Sequence, residues 1–281
     1  MEPERWVNVF TRVLAEQGHS LKLFDIDACK ARAVAERYGG EHSQTFSEAV
    51  SGADLVLICA TTETVPGIIA EMGPPKDPGT IVCEIASFKV KTIPVLRQSG
   101  GVRPLSIHPL FGPEIPSFKG ETFAVVTVKD SSDEMEAART LFPEAKLVPL
   151  DAETHDRCMA TILSLPYFMN LAFARILAEG DLPLMRELAG PTFEVQTSVT
   201  QSIVGESPDL IRSLINDNAF SWPLIERFIE EAEWLSALFK SETREIDRSL
   251  GELKGLMARD SGYENAREFR NLVLDSLKKR G

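Results

Sequence analysis

The chain has 281 residues, of which 43% are hydrophobic and 26% charged, as expected for a soluble globular protein with one large or two ordinary domains. Its formal net charge of -12 argues against general binding to nucleic acid or to an anionic membrane, which would need clustered cations, but leaves room for a small anionic substrate. There is no run of eighteen apolar residues and no basic-then-apolar N-terminal segment, so we expect a cytoplasmic protein without a membrane span or signal peptide.

In the first half of the chain, strand patterns alternate with helix patterns. The predicted strands are 20–27, 54–60, 80–86, 102–107, 122–129 and 146–151. The predicted helices are 5–16, 28–38, a short one ending at Gly52, 63–72, 89–98 and one capped by Ser131 with Glu134. Thr45 and Glu48 have the spacing of a capping box at the start of the short helix. This alternation predicts a mostly parallel, doubly wound sheet in a Rossmann-like α/β domain over residues 1–151.

The second half, residues 152–281, contains helix patterns only and is predicted to be an all-α domain. The predicted helices are 152–179, 183–190, 192–205, 208–217, 222–257 and 262–279. Helix 222–257 carries Phe228, Ala232, Leu235 and Phe239 at helical spacing. We interpret this stripe either as part of the core or as a dimer interface.

The four cysteines are scattered without CxxC spacing, so we expect neither a zinc site, nor any other metal site, nor a disulfide framework. Cys59 and Cys83 lie within apolar runs that we predict to be strands. We interpret both as core thiols.

The stretch SIHPLFGPE carries the best candidate for chemistry, His108. This histidine lies where the strand 102–107 ends and a loop rich in proline and glycine begins. Loops at the carboxyl ends of strands are where α/β proteins place their functional groups. An imidazole with a pKa of about 6.5 can accept a hydrogen bond at neutral pH. His108 is therefore a candidate catalytic residue.

Two further strand ends are candidates for binding a dinucleotide. Asp25 lies at the acidic end of the predicted strand 20–27, where an acid in a dinucleotide-binding fold accepts hydrogen bonds from ribose and disfavours NADP by repelling its 2′-phosphate. A solvated strand-end acid is the alternative interpretation. The turn of Ala60, Thr61 and Thr62 follows the strand 54–60 and could pass under the cofactor.

One feature of a dinucleotide-binding half is missing. Such a half opens with an apolar strand and GxGxxG, whereas here the first predicted helix begins almost at Met1 and no glycine precedes Gly18. Three explanations stand open. The chain is truncated relative to a longer gene product, the strand is supplied otherwise, or the protein no longer binds a dinucleotide in the usual way.

With these features assembled, the chain resembles the prephenate dehydrogenase family, with its arogenate and cyclohexadienyl members, from about residue 5 to about 255. The resemblance rests on AEQGHSLKLFDID, ADLVLICATTETV, GTIVCEIASFKVKTIPVL, SIHPLFGPE and HDRCMATILSLPYFMNLA. It implies a Rossmann-like domain followed by a helical domain that forms a homodimer. It also implies oxidative decarboxylation of prephenate or arogenate, both small anions, in tyrosine biosynthesis. NAD is the expected cofactor, with NADP less favoured.

The resemblance also implies roles for individual residues. His108 would accept a hydrogen bond from the substrate hydroxyl, and Ser87 would help to fix both partners. Glu114 matches a loop acid that gates the site, with an exposed turn residue as the alternative. Lys89 either faces the cleft or only starts the next helix. His155 and Asp156 match an HD pair of the family. His155 is placed at the substrate, while Asp156 could simply complement the helix dipole.

Two positions depart from the family pattern. This chain has Tyr167 where the family commonly has a second histidine that contacts substrate, and Ser202 where it has an arginine that holds a substrate carboxylate. Losing that cation removes a charge-assisted pair worth roughly 1.5 to 3 kcal/mol. A diverged non-catalytic or regulatory family member therefore stands as the alternative to an active dehydrogenase.

Overall fold

In the computed structural model, which describes residues 3–73 and 79–278, the chain divides into two compact units. The first unit contains the described residues up to Met159 together with Asp217–Ala219. The second contains Ala160–Asn216 and the described residues from Phe220 onwards.

Strands and helices alternate in the first unit, as predicted. The helices are α1 (Pro3–Glu16), α2 (Ala28–Tyr38), α3 (Phe46–Val50), α4 (Val65–Met72), α5 (Thr92–Gln98), α6 (Ser131–Leu141) and α7 (Ala152–Met159). The strands are β1 (Lys22–Leu23), β2 (Glu41–His42), β3 (Leu55–Ile58), β4 (Ile81–Glu84), β5 (Arg103–Pro109), β6 (Thr122–Val126) and β7 (Lys146–Leu150). The sequence patterns missed β2, which has only two residues and so shows no periodicity.

The strands form two sheets. β1 and β2 pair in parallel, and the other five strands follow the order β3-β4-β5-β6-β7. Every neighbouring pair in the larger sheet is parallel except β5 and β6. These two strands are joined by residues 110–121, which are described throughout and contain no helix. A connection without a crossover helix turns the chain back into an antiparallel pair. The prediction of a mostly parallel sheet is confirmed.

Side chains of the larger sheet alternate between two hydrophobic cores. Cys83 and Ile85 belong to a core that also contains residues of α1 and α6, while Val82 and Ala86 belong to one that contains residues of α4 and α5. This two-residue alternation follows from the pleat of a strand. Helices thus cover both faces, which confirms the doubly wound architecture.

Among the residues that the structure describes, no strand joins the two sheets. β1 is paired with β2, and β3 is paired with β4. The carbonyls of Asp54 and Ile58 accept hydrogen bonds from the β4 side, at 2.9 and 3.3 Å. Because successive residues of a strand point their backbone groups in opposite directions, those of Leu55 and Leu57 face the other edge.

Two helix starts test the predicted caps. The capping box of Thr45 and Glu48 is present at α3, which confirms that prediction. At α6 the predicted cap is wrong by one residue, because the side chain of Asp130 accepts from the backbone N–H groups of Ser132 and Asp133. A carboxylate is a strong acceptor for these unpaired N–H groups and complements the helix dipole.

The described part of the second unit is helical, which confirms the predicted all-α domain. A π-helical turn (Ala160–Ser164) precedes α8 (Leu165–Leu177), α9 (Leu182–Glu187), α10 (Pro191–Val204), α11 (Pro208–Asn216), α12 (Ser221–Leu238), α13 (Thr243–Met257) and α14 (Ala266–Lys278). Helix α8 packs against α10 and α11. By length and composition, the continuous helix 152–177 could cross a membrane, but this is weak evidence because core helices of soluble proteins pass the same test.

The prediction of one long helix over 222–257 is wrong. The chain leaves the helix after Leu238, where the hydroxyl of Ser241 donates to the Leu238 carbonyl at 2.7 Å. Glu242 is then extended, with φ -70° and ψ 143°, at the start of α13. Such side-chain bonds to the backbone compete with helix continuation. The apolar stripe on α12 is only half-buried at Phe228 and Leu235, so both interpretations of it stay open.

Candidate active site

The carboxyl ends of β4 and β5 bring the candidate catalytic residues to one edge of the sheet. The two strands are parallel, with Glu84 opposite Ser106. Ser87 lies in the loop just after β4, and His108 lies near the end of β5. Both are buried, each with 6% of its surface exposed. The strand patterns therefore predicted the two strand ends at which these residues lie, and their catalytic roles stay predictions.

His108 is the first member of a buried chain of hydrogen bonds. Its Nδ1 lies 3.0 Å from Nε2 of His155, and Nδ1 of His155 lies 2.7 Å from Oδ1 of Asp156. The carboxylate of Asp156 also accepts the backbone N–H of Lys89, at 2.8 and 3.0 Å to its two oxygens, and that of Val90 at 2.9 Å. His155 was predicted to contact substrate, but the structure shows it fully buried between His108 and Asp156.

Lys89 points into the protein interior. Its ammonium donates to Oε1 of Glu84 at 2.8 Å and to the carbonyl of Ile107 at 2.7 Å, and neither charged side chain is exposed. Glu84 also accepts from the hydroxyl of Ser106 and from the N–H of Ala86. Lys89 precedes α5, and its ammonium is paired with these buried groups rather than exposed at the surface.

Burial keeps both imidazoles neutral near pH 7. Desolvation lowers the pKa of His108 well below its ordinary value, and His155 and the Lys89 ammonium lower it further. Desolvation also lowers the pKa of His155, although the hydrogen bond to Asp156 opposes the shift. A neutral imidazole has one N–H donor and one nitrogen lone pair. His108 can therefore accept a proton only at whichever nitrogen is bare.

The residues predicted to hold a dinucleotide follow β1 and β3. Asp25 is half-buried, and its Oδ1 accepts the N–H of Asp27 at 2.8 Å. After β3, Ala60 is buried and the hydroxyl of Thr61 lies 3.0 Å from that of Thr64. The Thr62 hydroxyl is buried without a hydrogen-bond partner. An acid and an unpaired hydroxyl at strand ends suit the ribose and phosphate groups of a dinucleotide.

Glu114 lies in the loop after β5 and is exposed. It forms an ion pair with Arg5 of α1. The guanidinium of Arg12, also on α1, donates to the carbonyls of Ile115 and Pro116 at 2.6 Å each. The loop is thus tied to α1, and a gating role for Glu114 stays a prediction.

Two predicted substrate residues lie in the second unit. Tyr167 is half-buried on α8, and Ser202 is exposed on α10. The same two helices are joined by the side-chain oxygen of Asn170 on α8, which accepts from Gln196 and from the hydroxyl of Thr200 on α10, both at 2.7 Å. Contacts of Tyr167 and Ser202 with substrate stay predictions. No group of three His, Cys, Asp or Glu side chains within residues 3–73 and 79–278 is placed to hold a metal ion.

Sequence reasoning missed two carboxylates of the site. Asp156 was named only as a member of the HD pair or as an acid in a first helical turn, and Glu84 was read only as part of an apolar strand. The signal for Glu84 was a charge inside that strand with Lys89 five residues later, because a buried charge needs a partner. The signal for Asp156 was its adjacency to His155.

Comparison with known proteins identifies relatives along most of the chain. Residues 10–145 match the family model described as prephenate dehydrogenase, nucleotide-binding domain, and residues 151–257 match prephenate dehydrogenase, dimerization domain. A "Probable arogenate/prephenate dehydrogenase" of Methanocaldococcus jannaschii is 24% identical over 245 residues, which are 84% of this chain and 55% of the relative. A "T-protein" of Enterobacter agglomerans is 24% identical over 188 residues, 64% of this chain and 49% of the relative. The chain spans about half the length of these two curated relatives.

A solved structure agrees in fold. The crystal structure of prephenate dehydrogenase from A. aeolicus in complex with hydroxyphenyl propionate and NAD+ has a TM-score of 0.65 and 18% identity, with 96% of this chain and 93% of that chain covered. At this identity the likeness concerns the fold alone.

Proposed function

Because the chain belongs to the prephenate dehydrogenase family, we propose that it catalyses the oxidative decarboxylation of prephenate, or of arogenate, in tyrosine biosynthesis. The observation that carries the proposal is the neutral, buried His108 at the carboxyl end of β5, held by a histidine and a carboxylate. A positioned base of this kind accelerates proton transfer by typically 10² to 10⁴-fold.

The proposed reaction removes one hydride from the substrate and releases carbon dioxide. When bound, NAD would supply the acceptor for the hydride that leaves the ring carbon bearing the hydroxyl. His108 accepts the hydroxyl proton as the carbonyl forms, and Ser87 helps to orient the two groups. The carboxylate on the ring then leaves as carbon dioxide, and the electrons of its bond to the ring enter the ring. The proton held by His108 returns to the oxygen as the phenol forms. The products are 4-hydroxyphenylpyruvate from prephenate or tyrosine from arogenate.

Cofactor and substrate contacts follow from the same proposal. Asp25 binds the adenosine ribose and favours NAD over NADP, and the turn of Ala60, Thr61 and Thr62 lies along the cofactor. Calorimetric titration with NAD and NADP, in wild type and in Asp25→Ser, tests this. We expect Asp25→Ser to weaken NAD binding more than NADP binding; an equal effect on both would contradict the assignment.

Glu114, Tyr167 and Ser202 are assigned to the substrate site. If Ser202 stands where a substrate carboxylate is bound, Ser202→Arg supplies a charge-assisted partner and lowers KM. The matched control is Ser198→Arg, one helical turn earlier on α10. An unchanged KM in Ser202→Arg would remove Ser202 from the site.

Activity is tested by following NADH formation with prephenate and NAD. His108→Ala is expected to abolish the reaction, and His19→Ala, at an exposed position, is the matched control. Substrate-dependent NADH formation by His108→Ala at the wild-type rate would contradict the catalytic assignment.

We also propose a cytoplasmic homodimer formed through the helical second unit. Residues 151–257 match a dimerization domain. Large apolar side chains are exposed on α12 and α13, among them Trp222, Ile229, Trp234, Leu250, Leu253 and Leu256. Exposed apolar patches of this kind mark protein interfaces. Light scattering after size exclusion should give twice the chain mass, and a charged substitution at Trp234 should reduce it; a monomer at micromolar concentration would contradict the proposal.

A second candidate function is a non-catalytic or regulatory family member. The observation that favours it is the division of the described strands into two sheets, since a dinucleotide normally binds across a continuous one. Calorimetric titration separates the two candidates. Saturable binding of NAD would count against the second, and an absence of binding together with folded protein would count against the first.

A further inference from the structure

We propose that Asp156 and His155 are positioning residues that hold the proton of His108 on Nδ1 and so keep Nε2 bare for the substrate hydroxyl. The effect of this tautomer on catalysis rests on the proposed function. The tautomers of the two histidines can be measured without substrate. Neither residue needs to touch the substrate to act in this way.

The side chain of Asp156 accepts hydrogen bonds from the main chain. Its Oδ2 accepts the backbone N–H groups of Lys89 and Val90, and its Oδ1 accepts that of Lys89 while facing Nδ1 of His155. Hydrogen bonds from backbone N–H groups stabilise the ionised carboxylate. An ionised carboxylate only accepts, so the nitrogen of His155 that faces it must carry a proton.

The proton on Nδ1 of His155 in turn determines where His108 carries its proton. Because His155 is neutral and protonated on Nδ1, its Nε2 is a lone pair, and this lone pair lies 3.0 Å from Nδ1 of His108. His108 must therefore donate from Nδ1. Its Nε2 is then left without a proton and is the nitrogen that can accept from a ligand.

Neither imidazole of the His108–His155 pair carries a second proton. Burial disfavours the charged imidazole at both positions. The Lys89 ammonium, which donates to the carbonyl of Ile107 next to His108, places a positive charge close by. A protonated pair would leave no bare nitrogen, whereas the neutral pair leaves one, and Asp156 determines which.

The decisive variant is Asp156→Asn. Its amide oxygen can replace Oδ2 and keep the hydrogen bonds from the backbone N–H groups of Lys89 and Val90. The amide NH₂ then faces His155. His155 must then accept on Nδ1 and donate from Nε2, and His108 must accept on Nδ1 and carry its proton on Nε2. The acceptor for the substrate would be lost. We expect kcat to fall on the order of 10⁴-fold with KM little changed, as with the corresponding aspartate-to-asparagine change in a serine protease.

The tautomers can be read directly from ¹⁵N-histidine NMR of the protein without substrate. The chain has four histidines, so a background of His19→Gln and His42→Gln leaves only the pair of interest. We expect protonated Nδ1 and bare Nε2 on both rings, and the reverse in Asp156→Asn. A proton on Nε2 of His108 in the parent, or unchanged tautomers in Asp156→Asn, would overturn the proposal. If the tautomers are as expected but no substrate is turned over, only the proposed function fails.

Conservative rescue at His155 gives an independent test. His155→Gln can donate its amide N–H to Asp156 and accept from Nδ1 of His108 with its carbonyl, whereas His155→Leu can do neither. Circular dichroism first identifies which variants are folded. We expect His155→Gln to retain at least tenfold more kcat than His155→Leu, with the His108 tautomer unchanged in the glutamine variant. Equal kcat in two folded variants would refute a positioning role.

Discussion

Replacing Lys89 by methionine should destabilise the first unit strongly. Methionine has a similar length but no charge, so Glu84 would lose its cation at 0% exposure, and the Ile107 carbonyl would lose a donor. Removing one partner of a buried ion pair typically costs about 3 to 5 kcal/mol. The hydroxyl of Ser106 and the N–H of Ala86 still solvate Glu84, which places the expected loss at the lower end, about 3 kcal/mol.

Lys91 provides a matched control two residues away. It pairs with Glu63 at 2.6 Å, but the two side chains are 50% and 59% exposed. Exposed pairs contribute about 0 to 1 kcal/mol because water screens them. Lys91→Met should therefore leave the free energy of unfolding nearly unchanged.

The assay is urea unfolding monitored by tryptophan fluorescence. Of the three tryptophans, only Trp6 lies in the first unit, so the substitutions Trp222→Phe and Trp234→Phe leave a reporter of that unit alone. Glu84→Gln completes a double-mutant cycle with Lys89→Met, and the double variant should lose less than the sum of the two single variants. A Lys89→Met loss no larger than that of Lys91→Met, or full additivity in the cycle, would refute the reasoning.

Three further measurements test the local chemistry. The folded-state pKa of His108 lies below the unfolded value of about 6.5, so the folded chain binds fewer protons below that pH than the unfolded chain. The free energy of unfolding of the wild type, relative to that of His108→Gln, should therefore be constant above about pH 6.5 and fall as the pH decreases through it. A constant difference down to about pH 5 would contradict the lowered pKa. Gly39→Ala, at φ 80°, should lower the free energy of unfolding in urea by about 1 to 2 kcal/mol, whereas Gly67→Ala inside α4 should raise it by about 0.5 to 1 kcal/mol. Neither new Cβ meets an atom within 4 Å, so the difference would come from the backbone conformation alone. Equal effects would exclude backbone strain as the cause. Cys59 is half-buried, and burial raises the pKa of its thiol to about 12. In single-cysteine variants Cys59 should therefore react with a thiol reagent far more slowly than exposed Cys29, and comparable rates would contradict the raised pKa.

Much of the fold could be predicted from the sequence because it depends on local periodicity. The apolar runs 54–60 and 80–86 predicted strands of a doubly wound sheet, and the structure has strands there with a hydrophobic core on each face. The capping box at Thr45 and the position of His108 at a strand end are likewise local features. A pattern of neighbours within a few residues suffices for each of them.

What only the tertiary structure decided is which buried groups meet. His108 and His155 are 47 residues apart, and Asp156 and the Lys89 N–H are 67 apart. Lys89 turns inward because the register of β4 and β5 places Glu84 beside Ser106 and the carbonyl of Ile107 within reach. Composition and spacing could mark His108, but they could not determine which of its nitrogens is bare. That depends on the place where α7 packs against the sheet, which is set by long-range packing and by the need of each buried charge for a partner.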